Sequence, residues 1–185
     1  MKVKVFLFLS VFTLSLLLLA FFTPLVDFYK FSDLCRKDGG LTIYEKLDSG
    51  VGWLSDDYFN SLSDAYLEGV GFSRFKDSDN LFYDVFYVKG DRFKTSSYKK
   101  VESDFNMKAV YYRVLKEEAV EGWDEIGVYR AFYKRLSDDK VMAVYNNYYV
   151  NLFDVDDFFF GVFPSAMNCS GGHKNFYSEL ETIFY

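Results

Sequence analysis

The sequence predicts an α+β chain: an N-terminal transmembrane helix followed by a small antiparallel-sheet domain with a few short helices. Three observations carry that expectation. Val5 to Val26 is a run of 22 uncharged residues, long enough to cross a hydrocarbon layer of roughly 30 Å at about 1.5 Å per residue. Two Tyr- and Val-rich runs, 126–136 and 141–150, flank the turn formers Ser137-Asp138-Asp139-Lys140, which is the pattern of an antiparallel hairpin. Ser55-Asp56-Asp57 stands directly before apolar residues at helical spacing, as at a capped helix start.

Taken in order, the apolar run is read as an uncleaved signal anchor over residues 1–26. Lys2 and Lys4 supply a short positive flank, the run exceeds the usual h-region, and no small-x-small cleavage site follows it. Lys30, Arg36 and Lys37 beyond the span nearly balance the positive-inside count, but the four-residue basic N-terminus fits a tail kept in the cytoplasm. The expectation is therefore a single pass through the inner (plasma) membrane, with residues 27–185 outside the cytoplasm, in the periplasm.

Residues 27–40 read as a juxtamembrane helical stalk. Phe28, Phe31 and Cys35 share one helical face, and Gly39-Gly40 follows Arg36 and Lys37 where a helix commonly stops. The remainder, 41–185, is expected to be the extracytoplasmic α+β domain. Leu41, Ile43 and Leu47 alternate as a first strand; Tyr58, Phe59, Leu62, Tyr66 and Leu67 form a helix ending at Gly69. Residues 81–88 are apolar on both faces apart from Asp84 and suit an interior strand, whereas 92–105 suit an edge strand or loop. Ala109 to Leu115 is rich in β-branched and aromatic residues and reads as a strand. After the 126–150 hairpin come an aromatic stretch at 158–163 and a short final helix with Phe176, Leu180, Ile183 and Phe184 on its apolar face.

The pattern Cys35-x-x-Asp38-Gly39-Gly40-x-x-x-Tyr44-Glu45, directly after an apolar span, is joined near the C-terminus by Pro164-Ser165 four residues before Cys169. Together these resemble an uncharacterised family of small bacterial membrane-anchored proteins. The resemblance implies an architecture and no activity.

Only two cysteines occur. Outside the cytoplasm they are most simply read as one disulfide, Cys35 to Cys169; the alternatives are free thiols, or a metal site completed by His173, for which the Cys-x-x-x-His spacing alone is a weak signal. His173 is the single histidine, so a His-dependent triad is excluded. No nucleotide-binding glycine motif occurs, Gly69-Val70-Gly71 being too short. Asp77-Ser78-Asp79 and Asp154-Val155-Asp156 begin like calcium loops but lack the central glycine. No cofactor or metal is expected.

Removing Lys2 and Lys4 from the 21 basic side chains leaves 19 against 27 acidic ones in residues 27–185, a formal net charge of −8. Such a domain does not bind nucleic acid through net charge. Trp123 amid Glu117, Glu118, Glu121, Asp124 and Glu125, and the tyrosines Tyr145, Tyr148 and Tyr149, form the candidate binding surface for an envelope-protein partner. Two further readings stand beside this non-catalytic interaction domain: an immunity- or inhibitor-type protein facing an envelope-targeting toxin or hydrolase, and a carboxylate-dependent hydrolase using Asp154 or Asp156.

Overall fold

The computed structural model describes residues 2–151, 166–169 and 179–185. In chain order the elements are α1 (Lys2–Asp38), β1 (Gly40–Ile43), β2 (Val51–Leu54), α2 (Tyr58–Ala65), β3 (Val70–Lys76), β4 (Phe82–Tyr87), a 3-10 turn (Thr95–Ser97), β5 (Tyr98–Glu102), β6 (Ala109–Val120), β7 (Trp123–Arg135), β8 (Val141–Asn151) and β9 (Ala166–Asn168). The 158–163 stretch, Phe176, Pro164, Ser165, His173, Asp154 and Asp156 lie outside the described residues.

The nine strands form one mixed sheet in the order β1-β8-β7-β6-β2-β3-β4-β5, with β9 added to β8. This corrects the expected antiparallel sheet, because β2 runs parallel to both β3 and β6. The cause is the chain between β2 and β3. It contains α2, and a helical connection returns the next strand in the same direction, whereas a tight turn can only reverse it. From β3 the chain meanders antiparallel through β4 to the edge strand β5. β1 and β9 both pair antiparallel with β8. Between β6 and β7 the connection is Glu121-Gly122, and Gly122 holds φ +76°, a left-handed conformation that glycine adopts without penalty.

The transmembrane helix is also corrected: among the described residues, no helix is long and apolar enough to cross a membrane. Over its C-terminal turns α1 places Asp27, Lys30, Asp33 and Lys37 at successive helical spacings, with Arg36 and Asp38 beside them. Asp33 pairs there with both Arg36 and Lys37 at 2.8 Å.

The chain divides into two compact units. The first comprises Met1–Gly39, Glu118–Val128 and Asn147–Cys169. In its core Phe31 of α1 packs with Ile126 and Val128 of β7 and with Tyr148 and Val150 of β8. The positions two apart on each strand point the same way, which is why each strand supplies a pair. The disulfide Cys35–Cys169 closes this unit with Cα atoms 5.3 Å apart and a sequence separation of 134. For a loop of that size the chain-entropy contribution is about 4–5 kcal/mol.

The second unit comprises Gly40–Glu117, Tyr129–Asn146 and Ser170–Tyr185. Trp53 and Tyr133, both fully buried, centre its larger core, their rings 5.7 Å apart and edge to face. The C-terminal tail completes it: Leu47 donates to Ile183 and accepts from Tyr185, which sets Leu180, Ile183 and Phe184 into the interior. Gly69 is required by that insertion, since a Cβ there would fall 2.2 Å from the Phe184 ring. A smaller core forms where α2 lays Ala65, with Tyr58 and Leu62, onto Phe75 of β3 and Val85 of β4. α2 itself starts as its sequence dictates: the Asp57 carboxylate accepts from the Asn60 N–H at 2.8 Å.

Candidate functional site

A polar cavity of about 110 Å³ opens in the second unit. Ser55, Asp56, Asn60 and Asp64 line one side, and Arg113, Val114 and Leu115 of β6 line the other. Local structure explains the placement. Ser55 follows β2 directly, Asp56 precedes the cap of α2, and Asn60 and Asp64 lie one turn apart on that helix. Arg113 and Leu115 are two apart on β6 and so face the same way.

The floor is a buried carboxylate. Asp64 is 1% exposed, and the Arg113 side chain beside it is 8% exposed. Arg113 Nη2 stands 3.0 Å from Asp64 Oδ1. That is an ion-pair distance, but the alignment is poor, and Oδ1 accepts no directed hydrogen bond. The other oxygen is well served: the Ser55 hydroxyl donates to Oδ2 at 2.5 Å. Ser55 and Ser73 hydroxyls are 2.7 Å apart. As Ser55 has one proton and gives it to Asp64, Ser73 is the donor to Ser55. Arg113 also reaches the Asn60 side-chain oxygen at 3.4 Å.

Burial dominates the electrostatics. It raises the Asp64 carboxyl above its ordinary range; Arg113 and the Ser55 hydrogen bond oppose the rise, and the charges of Asp56 and Asp57 add to it. Burial likewise pushes the Tyr133 phenol well above its usual value, with Arg113 opposing. The Trp53 indole N–H is buried without a hydrogen-bond partner in the protein, and the Tyr133 hydroxyl is buried near Arg113.

The residues singled out from sequence are distributed differently. Cys35 and Cys169 are joined. Asp38 lies at the end of α1, where its carboxylate accepts from the Tyr148 hydroxyl at 2.5 Å. Gly39 donates back to Leu34 and Cys35 carbonyls, and Gly40 holds φ +92°. The Tyr44 and Glu45 N–H groups both donate to the Met142 carbonyl, and the Glu45 side chain pairs with Lys140 and with Arg135. These are positions that end a helix and anchor a strand.

The proposed tyrosine face is corrected. Tyr145 and Tyr148 are 5% and 3% exposed and belong to the cores of the second and first units respectively. Tyr149 is half-buried, its ring so close over Gly127 that a Cβ there would lie 2.3 Å away. Trp123 is half-buried beneath the Lys30 ammonium, 5.8 Å from the ring centroid. The reason is packing on the sheet faces: Tyr145 joins the cluster around Trp53 and Tyr133, and Tyr148 joins the one around Phe31, Ile126 and Val128.

Asp64, Arg113 and Ser55 were not singled out from sequence. Arg113 nonetheless carries a signal, being a single charge inside the apolar run Val110 to Leu115. Asp64 carries a fainter one, next to the apolar face of a short amphipathic helix. No protein-family model, curated protein or solved structure matches this chain.

Proposed function

We propose that this chain is a non-catalytic interaction domain that works outside the cytoplasm by contact with another protein of the cell envelope. The observation that carries the reading is the Cys35–Cys169 disulfide, because such bonds persist in oxidising compartments and are rare in the cytosol. Exposed aromatic side chains support a binding role. Phe59 and Phe93 are each 80% exposed and Phe105 is 66% exposed, the residue class enriched where protein surfaces meet. The excess of acidic over basic side chains favours a basic partner.

Two measurements test it. Alkaline phosphatase fused after Tyr185 should be active, and both cysteines should resist thiol labelling in intact cells until a reductant is added. An inactive fusion, or two thiols that label without reduction, overturns the extracytoplasmic reading. A photo-crosslinking side chain placed at Phe59, Phe93 or Phe105 should give a discrete adduct in living cells. Absence of an adduct at all three positions overturns the interaction reading.

A further inference from the structure

We infer that the cavity between α2 and β6 receives the guanidinium head of an arginine side chain presented by the protein partner. This rests on the interaction reading above and names the chemistry that the site recognises.

Charge excludes an anion first. Two carboxylates, Asp56 and Asp64, face one guanidinium, Arg113, so the lining has one uncompensated negative charge. The surroundings deepen it. Glu117 is exposed and shares the β6 face of Arg113 and Leu115, and Asp57 follows Asp56 at the start of α2. An incoming carboxylate or phosphate would meet four acids for one base.

Hydrogen bonding then specifies a donor-rich group. Asp64 lines the cavity floor, and its Oδ1, 3.0 Å from Arg113 Nη2, is buried and accepts no directed hydrogen bond. The Asp56 carboxylate at the rim is exposed. The Asn60 oxygen is engaged only by a long contact of 3.4 Å from Arg113. The Asp56 carboxylate and the Asn60 oxygen, set over the negative charge of Asp64, suit a planar fork of five N–H donors, which is also a weakly hydrated cation. Size is consistent: a space of about 110 Å³ accommodates a side-chain head. Leu115, 58% exposed, is placed to cover the apolar stem.

The probe is N-acetyl-Gly-Arg-Gly-amide, compared with counterparts carrying citrulline, lysine or glutamate, titrated into the oxidised full-length protein and followed by backbone amide shifts. The arginine peptide should move Ser55, Asp56, Asn60 and residues 113–115, bind at least about tenfold tighter than the citrulline peptide, and weaken as salt is raised. Asp64→Asn risks the fold by stranding Arg113, so the deciding variant is the exposed Asp56→Asn, which should lose about three- to tenfold in affinity with an unchanged thermal midpoint. Equal binding of arginine and citrulline peptides, preference for glutamate, or shifts confined to other residues overturns the proposal. A lysine peptide that binds as tightly as arginine overturns the guanidinium assignment. If the peptides fail while in-cell crosslinks at Phe59, Phe93 or Phe105 persist, the cavity proposal falls and the interaction reading stands; if the crosslinks fail as well, both fall.

Discussion

Two buried ion pairs in the same unit, Arg74–Asp84 and Arg113–Asp64, are almost equally hidden, with side-chain exposures of 7% and 0% in the first and 8% and 1% in the second. Their hydrogen bonding differs completely. Arg74 grips Asp84 through Nε and Nη2 at 2.6 and 2.8 Å, and the Ser103 hydroxyl adds 2.7 Å to the same carboxylate. Arg74 Nη2 also donates to the Asp104 carbonyl at 3.0 Å, and its guanidinium lies about 5 Å from the Phe72 and Phe105 ring centroids. Both Asp84 carboxylate oxygens accept directed hydrogen bonds there. Arg113 makes one poorly aligned ion-pair contact with Asp64 Oδ1, which accepts no directed hydrogen bond, beside a cavity that both residues line. Burial alone therefore does not separate a structural pair from a receptive one; satisfaction of the hydrogen bonds does.

The largest test of that contrast is Asp84→Ala. It strands a guanidinium that the fold encloses, and chemical denaturation should show a loss of about 3–5 kcal/mol. Asp64→Ala strands a guanidinium beside a cavity that water can enter, so its loss should be smaller, about 1–3 kcal/mol. Equal losses, or the reverse order, would break the distinction. Ser55→Ala and Ser73→Ala should cost about 1 kcal/mol each, with Ser55 the larger because it alone touches the carboxylate.

Acid sharpens the comparison further. Because burial raises Asp64, the folded protein binds a proton there before the unfolded chain does. Stability linked to this group therefore increases as pH falls through its folded value towards the unfolded carboxylate value of about 3.9, and is flat below that. Measured against Asp64→Asn, the native protein should gain relative stability across that window; a relative loss would reverse the assigned sign. Asp138 and Asp77 behave oppositely. Arg135 and Lys100 respectively hold them low, so their contribution is present above the unfolded value and disappears as pH falls through the folded one. The smallest expected change is in Asp56→Asn, within about 0.5 kcal/mol of the native stability.

The legible parts of this protein are those decided by neighbours in the chain. Asp57 caps α2 because its carboxylate reaches a donor three residues on. The turn formers 137–140 separate β7 from β8, and the two strands are neighbours in the sheet. β2 and β3 were not legible: Val51-Gly52-Trp53-Leu54 is too short to show alternation, and Val70–Lys76 carries a serine and an arginine where a periodic pattern would need apolar residues. Both positions are buried nonetheless, because Ser73 meets Ser55 and Arg74 meets Asp84. The candidate cavity was hidden for the same reason, being assembled from a helix and a strand far apart in sequence.

By itself the sequence determined which intramolecular disulfide is possible, since two cysteines allow one bond, together with the local starts, stops and reversals of chain. Only the tertiary structure decided that β2 is flanked by parallel partners, that Tyr145 and Tyr148 face inward, and that Arg113 arrives over Asp64. Caps and turns are set by contacts a few residues apart, whereas strand order, burial and the pairing of charges depend on which distant segments share a register, and periodicity in one segment carries no record of its partner.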